Sequence, residues 1–477
     1  MEELDMLIIG AGISGIGCAY HFSKNTDFSF KVLERKDTFG GTWELFKYPG
    51  IRSDSDMYSF CYDFHPWKKD QRFGSASEIK DYLQEVIDTY DLEKYICYKQ
   101  KVLHANWDSH TNRWRMETAD GKVWVSKFLF FCTGYYDHDE GYTPDFKGYN
   151  DFQGKIIHPQ KWPADYDITG KKVVVIGSGA TAVTVVPALC DKAHVTMLQR
   201  SPTYMMPMPD RERLWLIQRL FIKIFGERMR ILFLKFRRFY NILIQYIFFW
   251  LCKAIPTIIK PLYLRALSMY LGKEEVEKNW TPRYNLWDQR VCACPEADFQ
   301  KMIKNKKAKI VTDHIDKFTK TGIALKSGDN LDADVIITAT GLKLVIAGKI
   351  QVSVDDQPVK FHELFYYKGM MFSDLPNVFS AFGYTNASWT LKVDIVARYA
   401  CRLCMYMKEN NYSVFKPVIP DGMATESWID MTSSYIKRYE HLSPKQGNRY
   451  PWKLKQNYYI DWLQLKFSDL ENDIEFQ

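Results

Sequence analysis

A strand–glycine turn–helix–strand unit occurs twice, each copy is closed by a later apolar strand ending in Thr-Gly, and a long basic and aromatic stretch interrupts the second copy. These observations predict an α/β fold of two doubly wound, Rossmann-like domains carrying a basic, aromatic-rich helical insert. The chain has 477 residues, 46% hydrophobic and 25% charged. That excludes a disordered or low-complexity protein and leaves apolar material for more than one core. Aromatic residues make up 16%, a share that suits either thick cores or the enclosure of a large flat ligand.

The first unit opens with an apolar strand over residues 4–9, the turn Gly10-Ala11-Gly12-Ile13-Ser14-Gly15, and a helical pattern over 16–23. A second strand, 28–33, ends at Glu34. Gly10 permits the tight turn, Gly12 lets a pyrophosphate approach the backbone, and Gly15 lets the helix pack close to the strand. Ser14 lies within the turn, at the helix N-terminus that offers N–H groups and a positive dipole end to phosphate. Glu34 stands where a carboxylate accepts hydrogen bonds from a ribose. The unit reads as dinucleotide-binding, for FAD or NAD.

The second unit repeats the pattern with a strand over 172–176, Gly177-Ser178-Gly179-Ala180-Thr181-Ala182, a helix to 189 and a strand over 194–198. Here the acid is absent and the chain reads Gln199-Arg200-Ser201. A guanidinium at this point suits a 2′-phosphate, hence NADP(H); the plain alternative for Arg200 is a solvated surface cation. The closing strands end at Thr133-Gly134 and Thr340-Gly341. The expected division is 1–140 and 346–477 for the FAD-binding domain, 141–170 for an interdomain linker, 171–210 and 298–345 for the NADP-binding domain, and 211–297 for the helical insert. Nothing in the pattern suggests nucleic-acid binding.

Residues 211–271 carry aliphatic and aromatic residues at helical spacing, interleaved with twelve cations and two acids, Glu212 and Glu227. The whole chain nets only +7, so the excess positive charge sits here. Such an insert suits an anionic membrane surface or the entrance to an apolar substrate pocket, and reads equally as a helical subdomain with a solvated basic face. Its charge-free run, 239–252, has 14 residues, too few to span a bilayer. The opening Met1-Glu2-Glu3-Leu4-Asp5 is acidic where a secretory leader is basic. Ten cysteines form no disulfide framework and no metal pattern, and Cys401 and Cys404 read as helix packing. The expected compartment is the cytoplasm, with peripheral membrane contact through 211–271 as one reading of the insert.

Further residues resemble the Baeyer–Villiger flavin monooxygenases. Phe152-Gln153-Gly154, His158 and Trp162-Pro163 match that family's fingerprint, just ahead of the second glycine turn. Gly40-Gly41-Thr42-Trp43 and the stretch from Tyr48 through Arg52 and Asp54 to Tyr58 look like its flavin-side segment. Residues 284–290 and 383–392 extend the likeness over nearly the whole chain, nearest to the subgroup containing the mycobacterial ethionamide-activating monooxygenase. The resemblance implies FAD and NADPH as cofactors. NADPH reduces FAD, O2 adds to give a C4a-peroxyflavin, and this inserts oxygen into a ketone or oxidises a sulfide or thioamide. It implies that Arg290 stabilises the peroxy anion and that Asp54 holds Arg290. Gly41, Thr42, Trp43, Asp54, Tyr58 and Trp389 would lie at the flavin; Gly177, Gly179, Ala180, Thr181, Arg200 and Ser201 would lie at NADP(H). Phe152, Gly154, His158 and Trp162 would couple the movements of the two domains. Gln289 stands where well-known members carry lysine, so one contact to the nicotinamide nucleotide is expected to be missing.

The residues themselves support these two catalytic roles. An anionic oxygen species in a dry pocket needs a fixed cation, and a carboxylate partner orients it and lowers its desolvation cost. Spacing alone leaves Asp54 and Arg290 as surface or structural ion-pair residues, His158 as a polar linker, and Trp43, Trp162 and Trp389 as core aromatics. Ser388 is expected to cap a helix over 391–406. The competing functions are an N- or S-oxygenating flavin monooxygenase without ketone activity, a disulfide reductase, and a non-catalytic flavin sensor. The reductase needs a CxxxxC pair that Cys18 and Cys61 do not supply. The expected partners are O2 and a small apolar carbonyl or sulfur compound.

Overall fold

The structure, a computed structural model, describes residues 3–211, 216–429, 433–453 and 455–477. Glu212 and Arg213, counted in the charge of the insert, lie outside the described residues. The first glycine unit forms strand Glu3–Ile9, helix Ile13–Asn25 and strand Phe30–Leu33. Glu3–Ile9 pairs in parallel with Phe30–Leu33 on one side and with the closing strand Val123–Phe131 on the other. Consecutive residues Met6, Leu7 and Ile8 are all fully buried, as a strand covered on both faces requires. Antiparallel strands Val102–Asp108 and Arg113–Thr118 widen the sheet, and Gln351–Val354 and Val378–Ser380 join it late in the chain. Helix Trp389–Glu409 then packs on Ile13–Asn25, so the C-terminal segment returns to the first domain.

The second domain is a five-stranded, all-parallel sheet. Its strands run in the order Ala308–Thr312, His194–Gln199, Lys172–Ile176, Val335–Thr338 and Lys155–Ile157. The last of these lies inside the segment expected as a linker. It becomes an edge strand because Ile157 buries its side chain among the aliphatics of this domain.

The insert forms helices Leu216–Phe225, Glu227–Ala254 and Pro256–Leu271. Its ends are tied together by the parallel pair Met205–Met208 and Cys292–Pro295. The expected solvated basic residues are present, with Lys223, Arg228, Lys235 and Arg265 exposed, but the long helix also has an inward polar side that the sequence did not reveal. The long helix turns Arg238, Asn241 and Gln245, three and four residues apart and so on one face, toward the first domain. Arg238 donates to the carbonyls of Ser59, at 3.0 Å, and Cys61. Arg72 donates to Asn241 Oδ1, and Gln245 donates to Asp56. Ser388 also departs from expectation: it occupies the N-cap position of Trp389–Glu409, but its hydroxyl pairs with Ser59 Oγ at 2.6 Å instead of capping.

The glycine turn leaves no room at Gly15, where an added Cβ would lie 1.8 Å from the Gly10 carbonyl oxygen. Gly15→Ala is expected to cost about 1–3 kcal/mol of stability through overpacking. Thermal unfolding would show a lower Tm, and an unchanged Tm would contradict the close approach.

Candidate active site

Both glycine turns open onto one cavity of about 920 Å³, at the carboxyl ends of the parallel strands where doubly wound folds bind ligands. The turns are built alike. Gly10 and Gly177 take φ of +103° and +128°, and an added Cβ would strike the carbonyl oxygen at the end of each closing strand, Cys132 at 2.7 Å and Ala339 at 2.3 Å. Each turn delivers a helix whose N-cap glycine, Gly12 or Gly179, brings no side-chain cap. The first-turn N–H groups are therefore available to an anionic ligand.

Around the first turn, Gly10, Gly12, Ser14, Glu34, Gly41, Thr42, Trp43, Asp54 and Trp389 line this cavity. Gly177, Gly179, Ala180, Thr181, Arg200, Ser201, Gln289 and Arg290 line its other side. Two cradles with open helix ends, an acid beside one and an arginine beside the other, fit a pair of nucleotide cofactors. Glu34 is more occupied than the sequence suggests. Its carboxylate accepts from the Ala11 and Lys36 N–H groups at 2.8 and 2.9 Å, and burial raises its pKa. Part of its hydrogen-bonding capacity thus braces the turn. Ser14 Oγ accepts from Trp389 Nε1 at 2.8 Å. Trp389 stacks on Tyr135 with centroids 5.2 Å apart; it lines the cavity while packing against the first-domain core behind it.

The decisive geometry joins residues that the sequence keeps far apart. Arg290 Nε lies 2.7 Å from Asp54 Oδ2, and an Arg290 terminal N–H donates to the Thr385 carbonyl at 2.9 Å. The Arg290 side chain is 29% exposed, facing the cavity. Desolvation opposes its charge, but the Asp54 carboxylate together with Tyr135 and Tyr435 holds the guanidinium pKa above its ordinary value. Each partner is pinned from behind. Beside Asp54, the Ser53 N–H donates to the Gly74 carbonyl at 2.8 Å, and the Gly74 N–H donates to Ser53 Oγ at 3.1 Å. On the arginine loop, the Tyr284 carbonyl accepts from Tyr204 at 2.7 Å and from Lys260 at 3.1 Å, while Lys253 pairs with Asp288 at 2.8 Å. The insert therefore braces the loop from outside. Among the described residues 216–271 none lines the cavity, which corrects the reading of the insert as a pocket entrance.

Tyr58 is a second correction. Its ring is 1% exposed and absent from the cavity wall; its hydroxyl donates to the Lys69 carbonyl at 3.1 Å, and the Arg237 guanidinium lies 4.7 Å from its ring centroid. It belongs to the clamp on the insert. Gly15 sits behind the first turn as a packing residue. The fingerprint residues also lie off the cavity. Phe152 is buried in the second domain, Gly154 approaches the Asp334 carbonyl, and Trp162 packs on the second-domain core. His158 Nδ1 accepts from the Gln160 N–H at 3.2 Å, and Nε2 lies 3.3 Å from the Gly341 carbonyl oxygen. Burial draws its pKa below the ordinary imidazole value.

Tyr135, Tyr136 and Tyr435 also line the cavity and escaped the sequence reading. The first two directly follow Thr133-Gly134, at the sheet edge where doubly wound folds gather ligand residues, so a signal was present. Tyr435 comes from a distant segment with no motif. Among the described residues, no group of three or more His, Cys, Asp or Glu could hold a metal ion.

The flavin-binding monooxygenase-like family matches residues 4–409. The chain belongs to that family. It is 44% identical over 485 residues to the probable FAD-binding monooxygenase AlmA of Acinetobacter baylyi, covering 99% of this chain and 96% of that one. It is 42% identical over 468 residues to the FAD-containing monooxygenase EthA of Mycobacterium tuberculosis, covering 96% and 94%. Its fold resembles that of OTEMO solved in complex with FAD and NADP, with a TM-score of 0.76 at 20% identity over 99% of each chain. The family membership makes the protein a flavin-dependent monooxygenase, with two dinucleotide-binding domains as the fold.

Arg200→Ala should raise the KM for NADPH roughly ten- to a hundredfold, the worth of a charged hydrogen-bonding group, and leave that for NADH nearly unchanged. Steady-state kinetics showing equal effects would overturn the 2′-phosphate assignment. Gly179 has open space around it and an ordinary φ of −78°. Gly179→Ala should therefore change stability by no more than about 1 kcal/mol but weaken NADPH binding, by placing a methyl where the pyrophosphate approaches.

Proposed function

We propose that the protein uses FAD, NADPH and O2 to insert oxygen into small apolar ketones, giving esters or lactones, and to oxygenate soft sulfur in sulfides or thioamides. The cradle of Gly10, Gly12 and Glu34 would hold FAD and that of Gly177, Gly179 and Arg200 would hold NADPH, and the bound pair would supply the redox chemistry that activates O2. The observation that carries this reading is the Asp54–Arg290 pair, 2.7 Å apart where both glycine cradles share one cavity.

The residues of the chain account for the other requirements. Oxygen transfer to a carbonyl builds negative charge on oxygen, and a cation already in place stabilises it without reorganisation cost. Arg290 meets this need because Asp54 and the Thr385 carbonyl fix its orientation. Arginine also remains charged where desolvation would neutralise lysine. Phe382, Trp389, Tyr135 and Tyr435 give the cavity an apolar wall, which supports an apolar carbonyl or sulfur substrate and excludes water from the reacting atoms. His158 lies against Gly341 and is packed on Gly141, where an added Cβ would lie 1.9 Å from its ring; these are the paired segments that cross between the domains, which supports a role in coupling domain movements and not in proton transfer. All ten cysteines are free, which supports a reducing compartment such as the cytoplasm.

The test uses purified protein with FAD and NADPH, offered methyl ketones and alkyl aryl sulfides, with product and NADPH consumption measured together. Arg290→Ala should lower ester formation about 10²–10³-fold while reduction of the bound flavin by NADPH persists. Normal ester yield from Arg290→Ala would refute the role of Arg290. Sulfoxide without any ester from the unmodified enzyme would refute the ketone reading.

A further inference from the structure

We propose that the exposed face of the helical insert docks on an anionic lipid bilayer, holding the enzyme at the membrane surface without spanning it. Of the 22 large apolar side chains left exposed among the described residues, 18 fall between Leu220 and Tyr270. Soluble monomers scatter such residues, and a concentration of them marks a docking surface.

The long helix of the insert buries a mixed face, with Leu234, Ile242 and Cys252 inward beside polar residues, and leaves a second apolar face outside. Along Glu227–Ala254 the polar Arg238, Asn241 and Gln245 are hydrogen-bonded to the first domain. The opposite face presents Leu232, Phe236, Phe239, Tyr240, Ile247 and Trp250, each 42–61% exposed. Their spacing of three, four and seven residues puts them on one helical stripe. Rotating the helix to bury that stripe would strand Arg238 and break the clamp, so the internal contacts of the protein fix the apolar face outward.

Charge selects the occupant. Residues 216–271 carry ten cations against one acid, Glu227, and Lys223, Arg228, Lys235 and Arg265 are exposed beside the apolar stripes. Apolar residues seated at the acyl boundary, with lysine and arginine at anionic headgroups, describe an interfacial helix. The core of a protein–protein interface is instead depleted in lysine. Geometry disfavours a simple span: among the described residues no single helix is long and apolar enough to cross a membrane, and the pair Glu227–Ala254 and Pro256–Leu271, long and apolar enough only together, is bent by 109°. With its polar face bonded to the first domain, the long helix lies along the surface.

The test is co-sedimentation of the FAD-loaded enzyme with vesicles of phosphatidylcholine mixed with phosphatidylglycerol, against phosphatidylcholine alone. Binding is expected to the anionic vesicles at low ionic strength and to weaken as salt rises. Lys235→Glu should weaken it roughly fivefold or more. Phe236→Glu combined with Trp250→Glu should abolish it, with bound FAD and thermal unfolding unchanged as the check on folding. Absence of binding to anionic vesicles at low salt overturns the proposal, as does binding that survives the double substitution. Light scattering that shows self-association lost in the double variant, with no vesicle binding by either protein, assigns the face to a second copy of the chain and overturns it equally.

Discussion

The ion pair between Arg290 and Asp54 is the contact on which the site depends. It joins a loop of the first domain to a loop that leaves the helical insert, and it meets the cavity where the two glycine cradles face each other. An arginine drawn out of water stays charged, and a carboxylate and carbonyl oxygens offset its desolvation cost by replacing the lost hydration. Asp54 and Thr385 do so here. The pinned neighbours, Ser53 with Gly74 on one side and Tyr284 with Tyr204 and Lys260 on the other, set how far that cation can wander. Arg52 adds a parallel bridge to Asp298 at 2.7 Å, so the first domain is held to the second beside the site as well as within it.

Much of the fold was legible because the glycine turns are local devices. A short strand, a turn that needs left-handed φ at Gly10 and Gly177, and a helix packed against it at Gly15 all follow from neighbouring residues. The Asp54–Arg290 contact was not legible from spacing; only the resemblance of the surrounding segments to a family pointed to it. Glu34 lines the cavity, but its hydrogen bonds to Ala11 and Lys36 could not be read from sequence, because a carboxylate at that position can serve the turn and a ligand alike. Tyr58 was misassigned since motif proximity does not say which way a ring points. Ser388 was correctly placed at a helix start, yet Ser59 offered its hydroxyl a better partner than the helix backbone did.

The insert shows most plainly what composition hides. Its apolar and basic residues sit at helical spacing, and a sequence cannot say which face packs. The ordinary rule puts the apolar stripe inward. Here one buried guanidinium, Arg238, held by the carbonyls of Ser59 and Cys61 and lying 3.6 Å from Asp394, shares the inward face with Leu234 and Ile242, and a second apolar stripe is left outward. The same clamp reaches the segment around Tyr58 and, through Lys253 and Lys260, the loop carrying Arg290. The insert is thus a support for the site from outside the cavity, while the fingerprint segment contributes an edge strand and His158 at the join between domain and linker.

The central claim is that one guanidinium serves a site shared by two nucleotides. A crystal structure of the enzyme with FAD and NADP+ bound measures this most directly. The isoalloxazine and the nicotinamide should lie in the same cavity, with Arg290 beside their junction and still paired to Asp54. Density for a single nucleotide cleft, or an Arg290 remote from the isoalloxazine, would contradict it.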